Sequence, residues 1–116
     1  MDFDISTDKP SEDVFVIALS GEVDLYTAPE FKQRLIDAVD EGARHVVVDL
    51  SETTFIDSTT LGVLVGGVRR LREKDGDLSL VCGDRNINKI FEITGLDKVF
   101  TIAASRDEAL ARLSVG

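Results

Sequence analysis

Ser58, Thr59 and Thr60 follow Asp57 directly, so three hydroxyls stand behind one carboxylate. The same run opens a helical period. Leu61, Leu64, Val65, Val68 and Leu71 recur at three and four, the spacing of one buried helix face. Asp57 or Ser58 is the expected N-cap, because a short oxygen-bearing side chain accepts an N–H that the first helical turn leaves unpaired. Hydroxyls placed there meet backbone donors and the positive helix end, where an anion is best accommodated. Phosphorylation of Ser58 would add roughly −1.5 to −2 charge and three acceptor oxygens. The fold would tolerate that phosphate, whereas Asp57 beside it and a closely fitting partner would not. The residue pattern leaves two readings open: a structural helix cap, or a switch acting on binding.

Other chemistries have less behind them. Asp24, Asp49 and Asp57 would hold magnesium through oxygen ligands if the segments after strands two and three shared one sheet edge, as in a receiver domain phosphorylated on aspartate. Such a domain needs an adjacent acid pair after the first parallel strand and a lysine after the last, and neither is present. Ser58 is not in a GxSxG elbow, and His45, the only histidine, stands at the start of a buried strand, so a Ser/His/Asp triad has no support. No GxxxxGK[ST] or GxGxxG occurs. Gly62, Gly66 and Gly67 fall inside the helical period, where each costs roughly 0.8–1 kcal/mol relative to alanine. They read as permitting close packing or a partner's approach. Cys82 is alone and ends an apolar stretch, which makes it a buried thiol and excludes an intrachain disulfide. Neither a cofactor nor a metal is expected.

The elements that position these residues follow from periodicity. At 116 residues the chain is expected to form one domain, residues 1–116. Thirteen Lys and Arg against 22 acids give a formal charge of −9, which repels nucleic acid phosphates and anionic lipid and suits a basic partner surface. No apolar run approaches a membrane span and no leader pattern is seen, so a cytoplasmic location is expected. Phe3 and Ile5 alternate with polar residues in a short first strand, Lys9 to Asp13 is a polar turn, and Val14 to Leu19 is a more central second strand. Ser20 to Tyr26 reads as a polar link. Thr27 and Glu30, with Pro29 between, form a capping box for a helix whose inner stripe is Phe31, Leu35, Ala38 and Val39. Val46 to Leu50 is an interior strand followed by an acidic, hydroxylated loop and the Ser58 helix. Beyond the Asp75-Gly76-Asp77 turn come a strand at Leu78 to Val81 and a helix capped by Asp84 or Asn86 that ends near Gly95. A last strand covers Val99 to Ile102, and a closing helix begins with a Ser105/Glu108 capping box. The order is β-β-α-β-α-β-α-β-α, an α/β fold with a largely parallel sheet and one antiparallel strand from the opening hairpin.

The segment Phe55-Ile56-Asp57-Ser58-Thr59-Thr60-Leu61-Gly62-Val63-Leu64, preceded by Val46-Val47-Val48-Asp49-Leu50-Ser51 and by Gly21-Glu22-Val23-Asp24, resembles the STAS domain of bacterial anti-sigma factor antagonists. The resemblance covers essentially the whole chain in element order. It implies a mixed, largely parallel sheet packed by helices. It further implies a protein that binds an anti-sigma factor that is also a serine kinase, so releasing a sigma factor, and that this kinase inactivates by phosphorylation; a serine phosphatase restores it. By that resemblance Ser58 is the phosphoacceptor, with Thr59 and Thr60 as competing hydroxyls, and the protein is a substrate and binding partner, not an enzyme. Asp24, Asp57, Ser58, Thr59, Gly62, Gly66 and Arg69 form the implied partner surface, with Gly62, Gly66, Arg69 and Arg70 on the outward side of the helix. Thr60 stands where the motif most often has glycine. A STAS module without the switch, serving another signalling pathway, is the alternative.

Overall fold

The computed structural model describes residues 3–115. Five strands form one sheet in the order β1-β2-β3-β4-β5. β1 (Phe3–Ser11) runs antiparallel to β2 (Val14–Val23), whereas β2, β3 (His45–Ile56), β4 (Asp77–Val81) and β5 (Thr101–Ala103) are mutually parallel. Each parallel step needs a crossover, supplied in turn by α1 (Ala28–Asp40), α2 (Ser58–Arg72) and α3 (Arg85–Thr94), and α4 (Arg106–Val115) closes the chain. This is the mixed α/β order that the periodicity predicts.

Three helices share one face of the sheet. Phe31 and Leu35 of α1, Leu64, Val68 and Leu71 of α2, and Ile87 and Phe91 of α3 pack with Ile17, Leu19, Val46, Val48, Leu78 and Leu80 in a single buried cluster. Phe91 meets Phe100 edge-on at 6.3 Å. The opposite face has a smaller cluster, Val16, Val47, Val81 and Ala103 beneath Ala109 of α4, with Leu110 and Leu113 at its margin. Beside it Arg106 reaches across to Asp49 (3.0 Å) and Asp8 (3.3 Å), tying α4 to β3 and β1.

Several boundaries move from where the sequence alone puts them. β1 continues through the expected polar turn to Ser11, because an edge strand is held by its backbone pairing and leaves its polar side chains in water. β2 and β3 continue through segments read as a polar link and a hydroxylated loop. Their pairing persists across two register shifts, after Ala18 and after Gly21, and each inserts one extra residue on the β3 side. Such bulges break the alternation by which a strand is recognised. The last strand begins at Thr101, since Leu96–Lys98 form a 3-10 turn and Val99 keeps helical backbone angles. Asp84 caps α3 through the amides of Asn86 and Ile87, and Gly95 ends it with a left-handed backbone. The Thr27/Glu30 capping box does not form; Thr27 has near-helical angles and makes no cap bond. At α4 the Ser105 hydroxyl accepts from the Glu108 amide, while Glu108 accepts from Ala104 instead of Ser105.

Candidate partner-binding site

Val23 and Ile56 are register partners at the ends of β2 and β3, so the residues that follow them, Asp24 and Asp57, begin two adjacent loops at one edge of the sheet. Asp57 has extended backbone angles and caps α2, its Oδ1 accepting from the Thr60 amide at 3.0 Å. Asp24 does similar work one loop away, its Oδ1 accepting from the amides of Tyr26 (2.9 Å) and Thr27 (3.2 Å). Thr27, freed from capping, turns back and accepts from the Asp24 amide at 2.9 Å. The sequence offers Thr60 as a competing acceptor of phosphate, and the structure corrects this. Thr60 is 0% exposed, and its hydroxyl lies 2.9 Å from the Val23 carbonyl and 3.1 Å from Asp57 Oδ1. It is a tie between the two loops, out of reach of an enzyme. Ser58 and Thr59 stay exposed on the first turn of α2.

The three acids weighed as magnesium ligands do not converge. Asp49 lies farther down β3, opposite Ala18, where Ser51 and both Nε and Nη2 of Arg106 donate to its carboxylate. Burial raises its pKa, but the Ser51 and Arg106 contacts outweigh burial and hold it below the ordinary aspartate value. Among the described residues no three His, Cys, Asp or Glu side chains are grouped as metal ligands. His45 begins β3, on the far end from Ser58.

Comparison with known proteins identifies the family. The STAS domain profile matches residues 7–109. The chain belongs to the STAS domain family. Relatives of this STAS domain include the anti-sigma-B factor antagonist of Staphylococcus epidermidis, 35% identical over 85 residues, covering 73% of this chain and 79% of the relative. The protein of the same name from Staphylococcus aureus is 35% identical over 82 residues, 71% of this chain and 76% of that one. Among solved structures, an anti-sigma factor antagonist from Mycobacterium paratuberculosis superposes with a TM-score of 0.87 at 28% identity, covering 96% of this chain and 93% of the other.

Within the STAS fold, α2 turns Gly62, Gly66, Arg69 and Arg70 away from its buried stripe, beside two hollows. Gly62 and Gly66 open toward α1, in a groove shared with Lys32, Ile36, Thr59 and Arg70. Arg69 lines a separate hollow with Val65, Arg72 and Val99. At 100° per residue Gly62 and Arg69 lie within about 20° of one another and Arg70 is turned about 100° from Arg69 toward α1, all outside the buried stripe of Thr60, Leu64, Gly67, Val68 and Leu71. Arg72 is engaged internally, donating to Asp77 Oδ1 at 3.2 Å and to the Val99 carbonyl at 2.7 Å.

Three exposed apolar side chains near Ser58 were not singled out by the sequence pattern. Leu25 (56% exposed) and Tyr26 (78%) project from the loop after β2 and Phe55 (47%) from the end of β3, large apolar side chains where a solvated surface gains nothing by them. Leu25 and Tyr26 sit in an otherwise polar segment, and Phe55 lies inside the motif that precedes Ser58. The available signal was three large apolar residues within two short polar stretches.

Proposed function

We propose that this STAS protein is an anti-sigma factor antagonist that docks the start of α2 and the two neighbouring loops onto an anti-sigma factor with serine kinase activity, and that phosphorylation of Ser58 breaks the contact. The relatives named anti-sigma-B factor antagonists support the first half. The second half rests on one observation: Ser58 is exposed on the first helical residue while Asp57 and Thr60 hold that turn to β2. In the transfer, Ser58 Oγ bonds to the γ-phosphorus of ATP, ADP leaves, and the hydroxyl proton passes to a base of the kinase. A serine phosphatase reverses the state by hydrolysis. The docked patch combines the apolar anchors Leu25, Tyr26 and Phe55 with Asp24, Asp57 and Thr59, an arrangement in which a few aromatic residues carry most of the binding energy. A dianion placed among them stays solvated in the free protein and loses water on docking. The activity is that of a cytoplasmic regulator and kinase substrate.

Incubation with ATP, magnesium and the anti-sigma kinases of its own cell, read by intact mass with fragmentation beside affinity, tests the proposal. One phosphate on Ser58 with loss of binding to one kinase is the expected result. Stable binding with no phosphate on Ser58 or Thr59 would leave a STAS module without the switch. Ser58→Ala is expected to bind and to remain unphosphorylated.

A further inference from the structure

The groove between α1 and α2 has a volume of about 510 Å³ and runs from Thr59 to Arg70. At 1.5 Å per residue that is about 16 Å, or three helical turns. Its floor contains two glycines that internal packing does not explain. A Cβ built on Gly62 or Gly66 meets nothing within 4 Å, whereas one on Gly67 meets Leu35 at 3.0 Å and Leu78 at 3.2 Å. Gly67 is therefore required by the α1–α2 contact and the other two are not, although all three weaken the helix. Lys32 on one wall and Arg70 on the other are exposed, and among the described residues neither forms an ion pair. Two unpaired cations facing one apolar groove depart from the charge of the whole chain, which is −9. The groove ends at Thr59, next to Ser58, and so continues the docking surface described above.

We infer that this groove receives a helix of the anti-sigma factor, small and apolar on its inner face and carrying carboxylates on both flanks. The inference rests on the proposal that an anti-sigma factor is the partner, and it adds where that partner's second contact lies and what it is made of. A helix laid between two others comes close only where side chains are absent, at Gly62 and Gly66. Its flanking carboxylates then meet Lys32 and Arg70. A basic helix is disfavoured by those same cations.

The test uses the anti-sigma factor captured by the wild-type protein, with affinity measured by calorimetry and folding by thermal melting. Gly66→Leu is expected to melt at or above the wild-type temperature, because leucine is the better helix former and the space is open, and to lose affinity by roughly tenfold or more. Lys32→Glu and Arg70→Glu are expected to weaken binding, Arg70→Lys to restore most of it, and Lys89→Glu on α3 to leave it unchanged. If Gly66→Leu lowers the melting temperature, the Lys32→Glu/Arg70→Glu double variant decides instead. Wild-type binding that survives Gly66→Leu and both charge reversals overturns the groove and leaves the Ser58 surface standing. A wild-type dimer that Gly66→Leu disperses would make the occupant a second copy and overturn the stated partner. Capture of no anti-sigma factor by the wild type removes both proposals together.

Discussion

Thr60 shows how one hydroxyl can hold the proposed binding surface without touching a partner. Its contacts to the Val23 carbonyl and Asp57 fix the end of β2 to the start of α2, so that Leu25, Tyr26, Phe55 and Ser58 keep a common geometry. Thr60→Val preserves shape but leaves the Val23 carbonyl without this donor, and is expected to lower stability by about 1–2 kcal/mol in urea unfolding. Partner affinity should fall further than stability explains, and an unchanged affinity would detach Thr60 from the site. Ser58 and Asp57 were legible in the sequence because a cap and its hydroxyls are local chemistry. Thr60 was not, since its acceptor lies 37 residues away and only the register of β2 on β3 brings it near. The Asp49–Arg106 pair makes a second residue-scale test. The Asp49 pKa is lowered in the fold, so the pair's contribution is complete above the unfolded value of 3.8 and is lost as pH falls through the folded value. Stability should therefore decline below about pH 4, and Asp49→Asn should flatten that decline in acid titrations of the melting temperature.

At the scale of elements, the three glycines of α2 separate local propensity from tertiary demand. Gly62→Ala is expected to stabilise the fold by up to roughly 1 kcal/mol, since helix propensity improves and the added methyl meets nothing. Gly67→Leu should destabilise it by about 1–3 kcal/mol by forcing Leu35 and Leu78 apart. Opposite signs from two glycines five residues apart, measured by urea denaturation, would confirm that only one of them serves the core. Gly76 is stricter than either. A Cβ there would lie 1.8 Å from the Arg44 carbonyl oxygen, which also accepts from the Asp77 amide, so even alanine must displace the turn that leads into β4. Element type and order were legible from periodicity because helices and buried strands keep theirs over several residues. The ends of β2 and β3 were not, because Ser51 to Phe55 mixes one acid, three hydroxyls and one aromatic across two bulges, and only pairing with β2 makes that stretch a strand. The misread capping box has a similar cause: Thr27 bonds to the Asp24 loop, a competitor that a four-residue pattern does not contain.

For the whole molecule the proposed switch raises one issue: how a phosphate on Ser58 would cancel binding without disturbing the fold. The protein already carries a formal charge of −9, and the proposed modification would add roughly −1.5 to −2 more at one point. That point is the first residue of a 15-residue helix, where the helix dipole favours an anion by about 0.3–1 kcal/mol. Asp57 opposes it as a like charge, but its Oδ1 is committed to the Thr60 amide and hydroxyl, and Ser58 itself faces water. The two effects are of similar size and opposite sign. Phosphorylated protein is therefore expected to unfold within about 1 kcal/mol of the unmodified form in urea, while its affinity for the partner drops by two orders of magnitude or more. Ionic strength separates the causes further. Screening over a Debye length of about 8 Å at physiological salt should slow association of the unmodified protein with a basic patch as salt rises. It should not restore binding of the phosphorylated form, whose loss comes from desolvating a dianion at short range, not from long-range repulsion. Recovery of binding at high salt would assign the switch to net charge, and a large drop in unfolding free energy on phosphorylation would assign it to melting of the first turn of α2.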